Sequence, residues 1–221
     1  MCGRFTVRSN PNVIANVFGL SRLVDLIPHF NIAPTQLVAA VRSLDGPREL
    51  VMLRWGLVPP WATELSIGSR MINARSESVA TKPSFKKSFQ SRRCLVVSDG
   101  FYEWQKMNDK KQPFFIRLKS DRPFGFAGLW ERNDRTGQPV ETCTIITTTA
   151  NEMMAPLHGR MPAIIPPEQY DLWLDPEVKD VQQLERLLQP FPSDEMTAYP
   201  VSTLVNSPKN DLAECVEQLK V

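Results

Sequence analysis

The chain has 221 residues, of which 42% are hydrophobic, and a formal net charge of +2. These values are typical of one globular domain, and the charge is too small to indicate a nucleic-acid partner by itself. No apolar run approaches the roughly 18 residues of a membrane span, and the N-terminal sequence lacks the features of an export signal. We therefore expect a single domain over residues 2–221, cytoplasmic and not bound to a membrane.

The 4 cysteines are widely spaced and form no C-x-x-C pair, and the only 2 histidines are His29 and His158. These numbers do not support a zinc motif or a disulfide framework; a magnesium site made of carboxylates alone stays open. No G-x-G-x-x-G or Walker sequence is present, so we expect neither a metal nor a cofactor. Three of the cysteines, Cys94, Cys143 and Cys215, are expected to be buried thiols.

The first predicted element is a helix. Asn10 and Pro11 supply a cap and a first-turn proline, and the apolar stripe that follows ends at Gly19. Leu37–Val41 and Leu50–Trp55 are apolar-rich runs separated by Asp45-Gly46-Pro47, a pattern that predicts a hairpin.

Strands are predicted through the middle of the chain and helices towards its end. The predicted strands are Cys94–Val97, Phe114–Leu118, Phe124–Leu129 and Thr142–Thr148. The predicted helices are Pro167–Leu174, Val178–Leu188 and, at the end of the chain, Leu212–Leu219. Helices at the ends and strands in the middle favour the α+β class over a regular βαβ series.

The most informative residue is Cys2. Cysteine is small enough for the initiator methionine to be removed before it, and removal of Met1 would leave one residue with both a free amine and a thiol. An α-amine titrates near pH ~8, against ~10.4 for lysine, so it is the better nucleophile at neutral pH. With an aldehyde, such a residue forms a Schiff base and then a thiazolidine ring. A lone cysteine near a terminus is more often a small hydrophobic residue.

Several segments read as loops, yet carry residues that loops seldom need. They are Asn31-Ile32-Ala33-Pro34, Arg54-Trp55-Gly56-Leu57-Val58-Pro59-Pro60-Trp61, Asn73-Ala74-Arg75-Ser76-Glu77, Asp99-Gly100-Phe101-Tyr102-Glu103-Trp104 and Leu157-His158-Gly159-Arg160-Met161-Pro162. Together with Met1-Cys2-Gly3-Arg4-Phe5, this ordered set closely resembles the SOS-response-associated peptidase family. The resemblance extends to about residue 206 through Ala127–Glu131 and Pro200–Asn206.

The resemblance implies an α+β fold with a mixed, mainly antiparallel sheet or barrel-like core and peripheral helices. It also implies a sensor of abasic sites in single-stranded DNA that becomes covalently attached through a thiazolidine, with abasic-site lyase as a secondary activity. The implied roles are nucleophile for Cys2, support of the crosslink for Asn73, acid/base carboxylate for Glu103 and active-site imidazole for His158. A monomer acting at damaged DNA in the nucleoid is expected.

The chemistry of these side chains agrees with such roles. An imidazole suits the proton transfers that open a sugar hemiacetal, a desolvated carboxyl suits Schiff-base formation, and an amide holds a sugar without titrating. Taken singly, each has a plainer interpretation: His158 as a structural histidine, Glu103 as a surface residue beside aromatic rings, and Asn73 as a turn or cap residue.

Five residues are predicted to bind DNA. Arg4, Arg75 and Arg160 each lie within two residues of a predicted catalytic position, and guanidinium groups bind phosphate oxygens. Trp61 and Trp104 offer faces for base stacking, although core packing is at least as common for tryptophan.

Two other functions remain open at this stage. One is a cysteine-dependent peptidase, acting on itself or on other proteins, with Cys2 as nucleophile and His158 as its base. The other is a non-catalytic reader of modified DNA bases, which explains the arginines but gives Cys2 no task.

Overall fold

In a computed structural model, residues 2–22, 25–44, 46–107 and 110–220 are described. The strands are β1 Phe5–Val7, β2 His29–Ile32, β3 Leu37–Arg42, β4 Glu49–Trp55, β5 Asn73–Arg75, β6 Arg93–Ser98, β7 Gly100–Met107, β8 Lys110–Leu118, β9 Phe124–Asn133, β10 Val140–Thr149, β11 Arg160–Pro162, β12 Ile164–Ile165 and β13 Met196–Pro200. The α-helices are α1 Pro11–Phe18, α2 Ser76–Val79, α3 Lys86–Ser91, α4 Tyr170–Leu174 and α5 Val181–Arg186. Short 3₁₀ helices span Leu65–Arg70, Pro167–Gln169, Ser193–Glu195, Thr203–Asn206 and Ala213–Val216.

The strands form two sheets. One has the order β13-β8-β7-β1-β2, and the other has the order β11-β10-β4-β3-β6-β9-β12, with β9 and β5 also paired to β10. Most pairs are antiparallel, whereas β4 and β5 run parallel to β10. The predicted α+β class, with a mixed, mainly antiparallel sheet and peripheral helices, is confirmed.

The local signals of the first half are confirmed. The Asn10 side chain accepts a hydrogen bond of 2.9 Å from the Asn12 N–H at the start of α1, and Gly19 ends the helix with φ +63°. Strands β3 and β4 form the predicted antiparallel pair, with Val38 opposite Leu53. Asp45 of the predicted turn lies outside the described residues.

The other predicted strands and helices lie where expected, but their boundaries differ from the predicted ones by a few residues. Strands β6, β8, β9 and β10 contain the four predicted runs, and β8 begins four positions earlier than predicted. The helix predicted over Pro167–Leu174 begins as a 3₁₀ turn and continues as α4. The helix predicted over Val178–Leu188 is shorter, because Asp180 caps α5 through the N–H groups of Gln182 and Gln183.

Two predictions about the fold were wrong. The segment at the end of the chain forms only a 3₁₀ turn over Ala213–Val216, because Gln218 leaves the turn to bridge Val201. Several segments that read as loops are strands in whole or in part. They contribute to β2, β5, β7 and β11. Strands β5 and β7 pair with β10 and β1, which are distant in sequence, whereas β2 and β11 pair with the strands just before them in the chain.

Phe5 joins the two sheets. Its ring packs edge-on against Trp55 at 5.1 Å between centroids and against Phe126 at 5.8 Å, and all three side chains are fully buried. Strand β1 itself lies between β7 and β2, with Phe5 opposite Phe101 on one side and Ile32 on the other. The N-terminus is therefore held in the interior of the first sheet.

Phe5→Ala is expected to lower the free energy of unfolding by about 3–5 kcal/mol, because the substitution leaves a cavity where the two sheets meet. Urea denaturation measures this change. Leu37→Ala is a suitable control, since Leu37 is 64% exposed and its truncation should cost little. An equal loss in the two variants would contradict the role given to Phe5.

Candidate active site

Cys2 lies just before β1, beside strand β7 of the first sheet. The Tyr102 N–H donates to the Arg4 carbonyl at 3.0 Å and continues the pairing of β1 with β7 towards the N-terminus. Cys2 is fully buried, and its Sγ lies 4.0 Å from the Arg4 carbonyl oxygen. Burial, together with the charge of Glu103, raises the pKa of the Cys2 thiol far above its usual range, so the thiol is neutral at physiological pH.

Asn73 contacts Cys2 directly. Its Nδ2 donates to the Cys2 carbonyl oxygen at 2.9 Å. Asn73 begins β5, which runs parallel to β10 with Asn73 paired to Ile145, so its backbone is fixed by the second sheet. The Asn73 Oδ1 is buried and accepts no hydrogen bond within the described part of the chain. A buried acceptor next to Cys2 can accept a hydrogen bond from a bound molecule.

Glu103 lies on β7, one residue beyond the pairing with β1, and is only 4% exposed. Burial raises the pKa of its carboxyl, and the nearby charge of His158 opposes this effect. A buried carboxyl with a raised pKa keeps more of its proton near neutral pH, as a general acid requires.

His158 ends a turn that begins at Met154, whose carbonyl accepts the His158 N–H at 2.9 Å. The Arg160 N–H donates to His158 Nδ1 at 3.0 Å. The Arg160 carbonyl oxygen also lies 3.1 Å from His158 Nδ1, so the Arg160 backbone holds the imidazole whichever ring nitrogen carries the proton. The turn is tied to the end of β7, because Gln105 Nε2 donates to the Pro156 carbonyl at 3.3 Å. The imidazole and Glu103 are thus brought together from segments far apart in the chain.

The predicted DNA-binding arginines differ in their surroundings. Arg75 ends β5 and is exposed. Arg4 is half-buried and bridges the N-terminus to a late loop, with Nη1 donating to Asn31 Oδ1 at 3.0 Å and to the Val205 carbonyl at 2.7 Å. Burial lowers the pKa of its guanidinium. The Arg160 guanidinium is paired with Glu77 at 2.9 Å.

The two predicted stacking residues also differ. Trp61 is 53% exposed and lies beside a cleft of about 240 Å³ that is also lined by Arg70. Trp104 is half-buried, and its Nε1 donates to Asn206 Oδ1 at 2.7 Å, which fixes the plane of the ring.

The segment carrying Trp61 is fixed at its base by two glycines. Gly56 has φ +125°, and a Cβ there would lie 2.6 Å from the Gly68 carbonyl oxygen. A Cβ on Gly68 would lie 2.5 Å from the Gly56 carbonyl oxygen. This backbone contact closes the segment between β4 and β5, so Trp61 is presented from an anchored loop.

The structure brings Cys2, Asn73, Glu103 and His158 close together, and their catalytic roles stay predictions. Two supporting residues were not predicted from the sequence. Asn31 is buried and holds the loop after β13, with Nδ2 donating to the carbonyls of Ser207 at 3.0 Å and Asn210 at 2.8 Å. Glu77 pairs with Arg160. Asn31 and Glu77 both lie in the motifs quoted in the sequence analysis, and their place in those motifs was the only sequence feature that pointed to them.

The remaining cysteines are buried as predicted, and all are free thiols. Among the described residues, no group of three or more His, Cys, Asp or Glu side chains is arranged to hold a metal ion. In the same ranges, no helix has both the length and the apolar character that a membrane span requires.

Glu103→Gln is expected to become more stable than the wild type as pH rises. Burial in the folded protein raises the pKa of Glu103 above its ordinary 4.5. The wild type therefore has its full free energy of unfolding below pH 4.5 and loses part of it as pH rises through the folded pKa, because the buried carboxyl must then ionise. Glutamine cannot ionise and avoids this loss. Urea denaturation from pH 4.5 upward tests this, with the exposed Glu185→Gln as control; a difference that is constant with pH would contradict it.

Comparisons with known proteins identify the family of the chain. The family model "SOS response associated peptidase (SRAP)" matches residues 1–208. The chain is 46% identical to the abasic site processing protein YoqW of Bacillus subtilis, over 98% of this chain and 99% of that protein. It is 31% identical to the abasic site processing protein YedK of Escherichia coli, over 86% and 85% respectively. A crystal structure of a Bacteroides thetaiotaomicron protein matches with a TM-score of 0.87 and 27% identity, over 99% of this chain and 100% of that one. The chain belongs to the SOS response associated peptidase family.

Proposed function

We propose that this protein captures abasic sites in single-stranded DNA as a covalent crosslink formed by Cys2 after removal of Met1. The observation that carries the proposal is the setting of Cys2, which is buried, held by Asn73 at 2.9 Å and close enough to Glu103 for the carboxylate charge to act on its thiol. Relatives named as abasic site processing proteins support the same assignment.

The reaction begins with opening of the sugar, and the amine is the first nucleophile. His158 exchanges protons at the ring oxygen and anomeric hydroxyl of the abasic sugar and so opens it to the aldehyde. The neutral α-amine of Cys2 then adds to the aldehyde carbon. Glu103 delivers a proton to the departing hydroxyl, and water leaves as the Schiff base forms.

The thiol completes the adduct. Cys2 Sγ adds to the carbon of the Schiff base and its proton passes to the nitrogen, which closes the five-membered thiazolidine. The raised pKa of the thiol fits this order, because a neutral thiol is a poor first nucleophile and the amine reacts before it. Asn73 would hold the Cys2 carbonyl throughout and accept a hydrogen bond from the sugar or the new amine through Oδ1.

DNA would be bound by the exposed Arg75 guanidinium and by bases stacking on Trp61, with Arg4, Arg160 and Trp104 at the edge of the site. The Schiff base also acidifies the adjacent sugar carbon, so slow cleavage of the DNA 3′ to the lesion is proposed as a secondary lyase activity. We propose a cytoplasmic monomer that works without a cofactor.

A cysteine-dependent peptidase is the weaker alternative. Thiol peptidases depend on a thiolate whose pKa is lowered by a neighbouring imidazolium, whereas burial and Glu103 raise the pKa of Cys2. A non-catalytic reader of modified bases would give no role to the contact of Asn73 with Cys2.

Wild-type protein mixed with single-stranded DNA containing one abasic site is expected to form an adduct that survives denaturing electrophoresis, at one lesion per protein. Cys2→Ala should form none. No adduct from protein shown by mass spectrometry to lack Met1 would refute the proposal, and repeated turnover of a peptide substrate would favour the peptidase.

Cys2→Ser separates the two nucleophiles. It keeps the α-amine and loses the sulfur, so it should give little stable adduct on its own but a covalent one when borohydride reduces the Schiff base. A protein with an uncleaved N-terminal extension keeps the sulfur and loses the amine, and it should give no adduct with or without borohydride. Normal crosslinking by the extended protein would show that the amine has no role.

A further inference from the structure

Arg160 is held more firmly than a residue that only binds phosphate needs to be. Its Nη1 and Nη2 donate to the two carboxylate oxygens of Glu77 at 2.9 and 3.0 Å. Its Nε donates to Thr147 Oγ1 at 3.3 Å and its Nη2 also to the Thr147 carbonyl at 2.5 Å. The Arg160 side chain is 17% exposed and that of Glu77 is 52% exposed. A bidentate pair of this kind fixes both the place and the plane of the guanidinium.

The backbone of Arg160 acts on His158. Its N–H donates to His158 Nδ1 at 3.0 Å and so orients the ring. Arg160 begins β11, where it pairs with Thr149 of β10. Holding the Arg160 side chain against β10 therefore also holds the backbone N–H and carbonyl of Arg160, which both contact His158 Nδ1 and set the position of the imidazole.

Glu77 lies on the same segment as Asn73. Strand β5 pairs with β10 so that Arg75 is opposite Thr147, and Thr147 Oγ1 donates to the Ala74 carbonyl at 3.3 Å. Helix α2 follows at once and carries Glu77 in its first turn. One short segment thus supports Cys2 through Asn73 and reaches His158 through Glu77 and Arg160.

We propose that Glu77 is a positioning residue for the abasic-site reaction, because its bidentate contact with Arg160 holds His158 in the orientation for proton transfer to the sugar. This inference rests on the proposed function. Under this inference, Arg160 holds His158 in place in addition to any contact it makes with phosphate.

The charge of Glu77 makes the inference testable. Hydrogen bonds from Arg160 lower the pKa of the Glu77 carboxyl, against the effect of partial burial, and the charge of Arg75 adds to the lowering. Glu77 is therefore ionised and weakens the positive field in which a DNA phosphate would bind. Removing the negative charge of Glu77 should strengthen DNA binding. The same change should weaken the contact with Arg160 and so disturb the orientation of the His158 imidazole.

The experiment compares Glu77→Gln with Glu49→Gln. Glu49 is a matched control, because it is also a half-exposed carboxylate paired with an arginine, and its partner Arg42 keeps a second carboxylate in Glu141. Crosslinking rates are measured in single turnover at saturating abasic single-stranded DNA over a range of pH. Affinity for undamaged single-stranded DNA is measured by fluorescence anisotropy with each substitution in a Cys2→Ala background.

Glu77→Gln is expected to crosslink about 10-fold or more slowly, with a shifted pH profile, and to bind undamaged DNA as tightly as the parent or more tightly. Glu49→Gln should leave rate and pH profile unchanged. Arg160→Lys provides a second variant, because lysine keeps the charge for phosphate but cannot make the bidentate contact. It should also lose rate and keep affinity.

A wild-type rate and pH profile in Glu77→Gln would overturn the inference and leave the proposed function intact. Parallel losses of rate and affinity in both Glu77→Gln and Arg160→Lys would also overturn it, because they would assign Arg160 to phosphate binding alone. If the wild type itself gives no crosslink, the proposed function fails and the inference fails with it.

Discussion

The burial of the N-terminal strand is the constraint on which the rest of the site depends. Chain termini are usually exposed and poorly ordered unless something ties them down. Here β1 is inserted between β7 and β2, and Phe5 packs against Trp55 and Phe126 of the other sheet. Three residues before that aromatic contact, Cys2 has no exposed surface. A terminal amine and thiol can react selectively only if the fold holds them in one position. The packing of Phe5 fixes the strand that holds Cys2 there.

The electrostatics of the site follow from the same burial. Desolvation raises the pKa of both Cys2 and Glu103, and the charge of Glu103 raises the pKa of Cys2 further. The site therefore favours neutral, proton-carrying forms, which suits condensation of an amine with an aldehyde better than attack by a thiolate. Positive charge is supplied from the edge, where Arg75 is exposed and Arg160 is balanced by Glu77. The proposed proton transfers inside the site and the proposed phosphate contacts at its edge are thus separated in space.

The sequence predicted those parts of the fold that depend on neighbours in the chain. The cap at Asn10, the stop at Gly19 and the pairing of β3 with β4 all use residues a few positions apart. The clearest failure involves a partner that is distant in sequence. Asp99–Trp104 reads as a loop because glycine and glutamate interrupt its aromatic residues, yet most of it lies in β7, with which β1 and β8 pair from both sides.

The candidate site was predicted to a similar degree. Cys2, Asn73, Glu103 and His158 were predicted from ordered motifs and their chemistry, and they lie close together in the structure. The contact of Arg160 with Glu77 was not predicted, because it joins residues 83 positions apart. The anchoring of Arg4 by the Val205 carbonyl spans 201 positions and leaves no local signal either.

The most direct test of the central claim is mass spectrometry of the crosslinked peptide. After nuclease and protease digestion, the account predicts that the N-terminal peptide carries the sugar with the loss of a single water molecule, and that its amine resists acylation while its thiol resists alkylation. Both groups are blocked only if one residue has supplied both nucleophiles. An adduct on a lysine, or one on Cys2 whose thiol or amine still reacts, would contradict the account.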